Sequence, residues 1–200
     1  MAHSRSTPRL RLTLALLVGL VIMVVFSKRD LLGPTARELV QLAGLACVAL
    51  AALGRVWTSV FVAGLKDAQL VREGPYSACR HPLYGLSMLG TFGLGLATSS
   101  ISLTASLLCI FAVIYAWAIA AEDAHLASLH GEAFAAYRNE VPAVIPDLSA
   151  YHVPVLYETR PRVLWKAIVD AASLLGAYLL IRLADLMQAT GIAPALFTLP

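Results

Sequence analysis

Charge is what this chain has least of: 14% of its 200 residues are Asp, Glu, Lys or Arg, against roughly 25% in soluble domains. With 59% apolar residues and a mean hydropathy of +0.76, that shortage excludes a water-soluble globule and implies an integral membrane protein. The three cysteines, Cys47, Cys79 and Cys109, form no CxxC pair, so no disulfide scaffold is expected and all three read as free thiols. No HxxxH spacing occurs among His81, His125 and His130. Glu122 and His125 do stand at i and i+3, but a carboxylate-bridged site needs that motif repeated from other helices, so no metal is expected. A net charge of +3 is too small to imply nucleic acid, and Arg9, Arg11, Lys28 and Arg29 sit at span ends as membrane anchors. Phe26-Ser27-Lys28-Arg29 has no small-x-small cleavage site, so the first apolar run reads as an uncleaved span rather than a signal peptide. A Ser-His-Asp arrangement cannot be assembled with any specificity. Internal repeats and low-complexity tracts are also missing, and the chain reads as one domain over residues 1–200.

What is present is a series of apolar runs: Leu12 to Phe26, Leu39 to Leu53, Leu83 to Thr98, Ile101 to Ala121 and Val163 to Met187. The predicted fold is all-α, an integral membrane helix bundle of about five spans. The second run is short for a bilayer that takes about 20 helical residues, so it is expected to extend from near Arg37 to beyond Arg55, with Trp57 at the interface. Ala97-Thr98-Ser99-Ser100 leaves room only for a tight turn, which makes the third and fourth spans an antiparallel hairpin. Beyond Ala121, Leu126, Leu129, Phe134 and Tyr137 recur at roughly helical spacing. They predict a cytoplasmic amphipathic extension of the fourth span, ended by Pro142 and Pro146, with His125 and His130 as interfacial polar residues. Tyr151 to Arg162 reads as a polar connector. Basic residues collect on one side of the predicted topology (Arg5, Arg9, Arg11, Arg55, Lys66, Arg72, Arg80, Arg138, Arg160, Arg162 and Lys166), which places that side and the N-terminus in the cytoplasm. A bacterial inner membrane is the expected location.

The polar island is Leu70 to Gly85, LVREGPYSACRHPLYG. Gly74-Pro75 forces a turn, and Pro82 suits the first turn of a helix re-entering the membrane. Two helices of similar length joined by a tight turn return to the same depth, so Arg80-His81 and Glu122-Asp123 meet at one end of the bundle. Charges there are costly unless paired or solvated in a cavity. One arginine cannot take both neighbouring acids as structural partners, so at least one carboxylate is left to meet a ligand cation or hydroxyl. Both signs with aromatic walls, Tyr76 and Tyr84, suit a zwitterionic, nucleoside-like cofactor. A salt bridge merely tying two helix ends together fits these residues equally well. Cys79 as a nucleophile would need an activating base; the simpler reading is a filler cysteine.

Gly74-Pro75-Tyr76, Arg80-His81-Pro82-Leu83-Tyr84, a helix hairpin, then Glu122-Asp123-x-x-Leu126, Gly131, Tyr137, Val141-Pro142 and Pro146 together resemble the isoprenylcysteine carboxyl methyltransferase family. That family sits in a wider group of small membrane methyltransferases that includes phospholipid N-methyltransferases. The resemblance covers roughly residues 55–147, a methyltransferase-like core, with residues 1–54 and 163–187 as additional spans. It implies S-adenosylmethionine as cofactor, bound by Gln69, Leu70, Val71, Tyr76, His81, Pro82, Tyr84, Glu122 and Asp123, with Arg80 and Glu122 in catalytic roles. It also implies a lipid or other lipophilic small molecule as acceptor, reached from the bilayer. Members that methylate a prenylcysteine carboxylate carry a basic residue about one turn before the acidic pair, where this chain has Trp117-Ala118-Ile119-Ala120. A different lipid or hydrophobic small molecule is therefore the expected acceptor. Two rivals stand beside this reading: a membrane reductase using a nicotinamide cofactor, and a non-catalytic membrane protein in which Arg80 and Glu122 form a structural pair.

Overall fold

The computed structural model describes residues 27–28, 32–62, 69–157, 159, 161–192 and 197–198; the expected first span, Leu12 to Phe26, and Lys66-Asp67 lie outside them. The architecture is helical apart from a two-residue parallel pairing of β1 (Ser27–Lys28) with β2 (Phe197–Thr198). The helices are α1 (Pro34–Val62), α2 (Pro75–Ala78), α3 (Pro82–Thr98), α4 (Ile101–Glu140) and α5 (Pro161–Ala189). Proline opens α1, α2, α3 and α5, where its missing N–H costs nothing and its fixed φ is already helical.

Three of these helices, α1, α4 and α5, are long and apolar enough to cross a membrane. The second expected span extends beyond Arg55, as one continuous helix of 29 residues, about 43 Å at 1.5 Å per residue. At 17 residues, α3 stands at the short end of spanning lengths. Outward-facing Ile110, Val113, Ile114 and Trp117 on α4, and Leu179, Leu180, Leu183 and Leu186 on α5, leave apolar surface that suits lipid better than water.

Helix α3 is central, packing on α1, α4 and α5. Close approach comes from small residues on the facing stripes. A Cβ on Gly93 would stand 2.6 Å from the Gly44 carbonyl oxygen, and one on Gly44 would stand 2.7 Å from the Gly93 oxygen. Val48, Ala97 and Tyr178 fill the seam where α1, α3 and α5 meet. The hairpin turn is as tight as the sequence predicts. Ser99 ends α3 in the left-handed conformation (φ 53°), and the Ser100 side chain accepts from the Leu103 N–H to open α4.

A buried polar set closes that end of the bundle. Gln41 Nε2 donates to Asp185 Oδ2 at 2.8 Å and to the Ala97 carbonyl at 3.3 Å, while Arg182 donates to Gln41 Oε1 and to Glu38. Tyr178 donates to the Gln41 carbonyl at 2.9 Å. Charges that the sequence places near the end of the last span are therefore joined to the start of α1.

The unexpected feature is in α4. The sequence pattern predicts an unbroken extension to Pro142, but Gly131 takes φ 50° and ψ −121° and divides the helix. Residues 132–140 thereby turn onto the polar island, and Phe134 and Tyr137 become buried.

Gly93→Val is expected to push α1 and α3 apart and to destabilise the bundle by about 1–3 kcal/mol, the usual cost of overpacking. Unfolding in a graded detergent mixture measures it; a variant as stable as the parent would contradict this packing.

Candidate functional site

The hairpin delivers its two polar ends to one place. Asp123 accepts from both residues of the island: Arg80 Nη1 donates to Oδ2 at 2.8 Å, and His81 Nε2 lies 2.8 Å from Oδ1. The other imidazole nitrogen of His81 faces Glu122 at 3.6 Å. His81 is 3% exposed, and the Arg80 and Asp123 side chains are 9% and 15% exposed. At its centre the Arg80 guanidinium and the Asp123 carboxylate form a largely desolvated ion pair that compensates both charges.

The island is also strapped from outside. Arg80 N–H donates to the Pro142 carbonyl at 2.8 Å, His81 N–H to Ala143 at 2.9 Å and Asp147 N–H to Ala78 at 2.9 Å. Arg80 Nε reaches the Val141 carbonyl at 3.1 Å. The predicted connector after Tyr151 is part of this strap. Gly74 and His152 form an isolated antiparallel bridge, Tyr151 accepts from Trp57 at 3.1 Å, and Tyr157 donates to the Phe61 carbonyl at the end of α1. Gly74 has φ +60°, and a Cβ there would stand 2.6 Å from the Phe61 ring, so conformation and space both require glycine.

Beneath these elements lies a cavity of about 400 Å³, within the size range of small-molecule sites. Of the residues expected at a cofactor, Gln69, Leu70, Val71, Tyr76, Tyr84 and Glu122 line it, and so does Arg80. Three others stand behind the wall: His81, Pro82 and Asp123 support the lining without forming it. The acidic pair thus divides. Asp123 holds Arg80 and His81, whereas Glu122 faces the cavity beside Tyr84. This corrects the structural pair considered from sequence: the salt bridge of Arg80 is to Asp123, not Glu122.

Val62, Leu83, Ala121, His125, Leu126 and Tyr137 complete the wall. His125 was readable, because it follows Glu122 by one helical turn and shares its face. Tyr137 was not, since only the break at Gly131 turns it inward. Its hydroxyl donates to the Tyr76 carbonyl at 2.6 Å, and its ring lies 5.2 Å below the Arg72 guanidinium, which pairs with Glu140. Burial and the nearby Glu122 charge raise the Tyr76 hydroxyl well above the usual phenol range, so it stays a neutral part of the wall. Burial likewise pushes the Cys79 thiol up to about 11. A thiol that stays protonated at neutral pH is a poor nucleophile, which favours the filler role. Among the described residues no group of three His, Cys, Asp or Glu side chains converges as a metal site would.

A helix bundle with membrane-length apolar helices and a polar, strapped cavity at one end defines the class of small helical membrane proteins. The family model of the phospholipid methyltransferases matches residues 41–133. The chain is 38% identical over 156 residues to the cobalt-zinc-cadmium resistance protein CzcN of Cupriavidus metallidurans, covering 78% of this chain and 72% of that protein. It is 34% identical over 157 residues to the nickel-cobalt-cadmium resistance protein NccN of Alcaligenes xylosoxydans xylosoxydans, covering 78% and 73%. No solved structure matches it. The chain belongs to the phospholipid methyltransferase family.

Two outcomes check the division of labour in the acidic pair. Asp123→Asn removes one partner of a buried ionic set and should cost about 3–5 kcal/mol, while Glu122→Gln should stay within about 1 kcal/mol in the same unfolding measurement. Iodoacetamide at pH 8 should leave Cys79 unmodified in the folded protein, with the rate climbing about tenfold per pH unit as pH approaches the raised value. Rapid alkylation at pH 8, read by mass spectrometry, would contradict the buried, protonated thiol.

Proposed function

We propose that this protein is an S-adenosylmethionine-dependent methyltransferase acting on a lipophilic acceptor at the cytoplasmic face of the membrane, in a bacterial inner membrane with the N-terminus cytoplasmic. The observation that carries the reading is the shared cavity: Tyr76, Arg80 and Tyr84 from the island and Glu122 from the far helix line one space in a chain of methyltransferase ancestry. The donor set fits the cofactor. Arg80 uses its Nε and Nη1 on Val141 and Asp123, leaving donors over for a methionyl carboxylate. Glu122 suits the ammonium group or the ribose hydroxyls. Tyr76 and Tyr84 offer aromatic faces to adenine and to a sulfonium, and Gln69, Leu70 and Val71 line the same cavity.

Bound S-adenosylmethionine supplies a methyl on a sulfonium whose sulfur departs as a neutral thioether, so no metal or covalent enzyme intermediate is required. The chain's share of the work is positioning and exclusion of water. Asp123 and His81 hold Arg80 and Glu122 in place from behind. Tyr137 from residues 132–140 closes part of the wall, and the strap at 141–157 holds the island in position. We read α3 as a further span beside α4, which brings the cavity mouth to the level where a bilayer amphiphile can enter sideways. Trp117 to Ala120 carries no cation in the position used for prenylcysteine carboxylates, which favours another lipid or hydrophobic small molecule.

Calorimetric titration of the detergent-solubilised protein with S-adenosylmethionine, S-adenosylhomocysteine and NADPH tests the reading. The first two should bind and the third should not; binding of NADPH alone would favour the reductase, and binding of none a non-catalytic role. Glu122→Ala should weaken cofactor binding by at least about tenfold, the scale of a lost charge-assisted hydrogen bond, in a protein that still inserts. His81→Ala should lose both binding and stability, because its imidazole supports Asp123 and Glu122 from a buried position.

A further inference from the structure

The cation missing before the acidic pair has a counterpart on another helix. Between Glu38 and Val62, α1 carries a single charged residue, Arg55, and neither α3 nor residues 101–121 of α4 carry any Asp, Glu, Lys or Arg. Arg55 lies on the stripe that α1 turns toward the bundle, in step with Gly44, Val48, Ala51 and Thr58. Val62, seven residues further on and hence on the same face, lines the cavity.

Its hydrogen bonding points the same way. The Arg55 guanidinium donates through Nη1 to Ser87 Oγ of α3, and Ser87 donates in turn to the carbonyl of Leu83 at 2.7 Å. Leu83 is a cavity residue, so Arg55 and Ser87 stand one turn deeper in the bundle than the cavity wall. Arg55 Nε is buried with no hydrogen-bond partner among the described residues. A guanidinium at such a depth is costly unless an anion compensates it, and the side chain that accepts from it among the described residues is the neutral hydroxyl of Ser87.

We propose that Arg55, with Ser87, is the point that recognises the acceptor: it binds the carboxylate or phosphate of an anionic amphiphile whose chain lies in the bilayer and whose nucleophile reaches the cavity. This rests on the methyltransferase reading above and narrows its acceptor to lipophilic anions. Guanidinium matches either group bidentately, and its position on the bilayer side of the cavity selects ligands that arrive through lipid. Cofactor and acceptor then meet different cations, Arg80 and Arg55, and neither competes for the other's site.

The full chain, purified in a maltoside detergent and saturated with S-adenosylhomocysteine, is titrated by calorimetry with dodecyl phosphate, laurate, dodecylamine and inorganic phosphate. Dodecyl phosphate and laurate should bind saturably, and dodecylamine and inorganic phosphate should not. Arg55→Gln should weaken the anionic amphiphiles by about tenfold or more, Arg55→Lys by less, and Ser87→Ala by a small factor, with S-adenosylhomocysteine affinity unchanged in all three. Arg55→Lys keeps the charge should Arg55→Gln fail to fold. Equal binding of dodecylamine, inorganic phosphate binding as tightly as dodecyl phosphate, or anion affinities untouched by Arg55→Gln would each overturn the proposal. A parent protein that binds no S-adenosylhomocysteine yet binds dodecyl phosphate through Arg55 would instead remove the methyltransferase reading and leave the anion site standing.

Discussion

One carboxylate, that of Asp123, accepts from Arg80 and His81 at 2.8 Å each, and the geometry of the polar end depends on it. The two halves of the site are separated by the whole length of the α3–α4 hairpin. A bundle held only by apolar packing would let the helix ends splay, since lipid solvates apolar side chains as well as other helices do. A nearly buried ionic knot does not allow that freedom, because separating it exposes an uncompensated charge. Fixing Asp123 in this role turns its neighbour, Glu122, toward the cavity. Adjacent acids thus acquire different functions from their position on one helical turn.

The same logic recurs at both ends of the molecule. At the hairpin-turn end, Gln41, Arg182, Asp185 and the Ala97 carbonyl form a polar set that ties α1 to α5. At the island end, backbone carbonyls of Pro142, Ala143 and Ala78 and the Gly74–His152 bridge strap the turn. Between them, apart from Arg55 and Ser87, the bundle is largely apolar and close-packed, with the Gly44–Gly93 contact setting the α1–α3 separation. Polar locks at the ends and a glycine-lined seam between them yield a rigid floor under a covered cavity. Methyl transfer by in-line displacement needs that rigidity more than it needs reactive side chains. The raised Tyr76 hydroxyl and Cys79 thiol fit a site whose groups shape and orient rather than exchange protons.

Much of this was legible in the chain because the constraints are local. A low charge content, apolar runs of membrane length and the four-residue turn at Ala97 to Ser100 require a helix hairpin, whose ends return to one depth. That is enough to bring Arg80-His81 and Glu122-Asp123 together, and the order of these motifs carries the family resemblance. The pattern was less informative where geometry changes without a change of composition. Nothing in the periodicity of Leu126, Leu129, Phe134 and Tyr137 announces the break at Gly131 (φ 50°), and so Tyr137 was assigned to a stripe rather than to the cavity wall. Tyr151 to Tyr157 has the polar look of a linker, yet its hydrogen bonds to Trp57 and Phe61 make it a strap.

Composition and order, then, determined that the protein is a helical membrane bundle, that its third and fourth runs fold back on each other, and which polar residues share an end. These follow from hydrophobicity and chain length, properties each segment carries by itself. Only the tertiary structure decided that Asp123 rather than Glu122 takes Arg80, that His81 and Pro82 stand behind the wall while His125 and Tyr137 enter it, and that Arg55 faces Ser87 beside the cavity. Those outcomes depend on the rotation of each helix about its axis and on how neighbouring surfaces interlock. Packing between distant segments sets such angles, and no stretch of sequence carries that information alone.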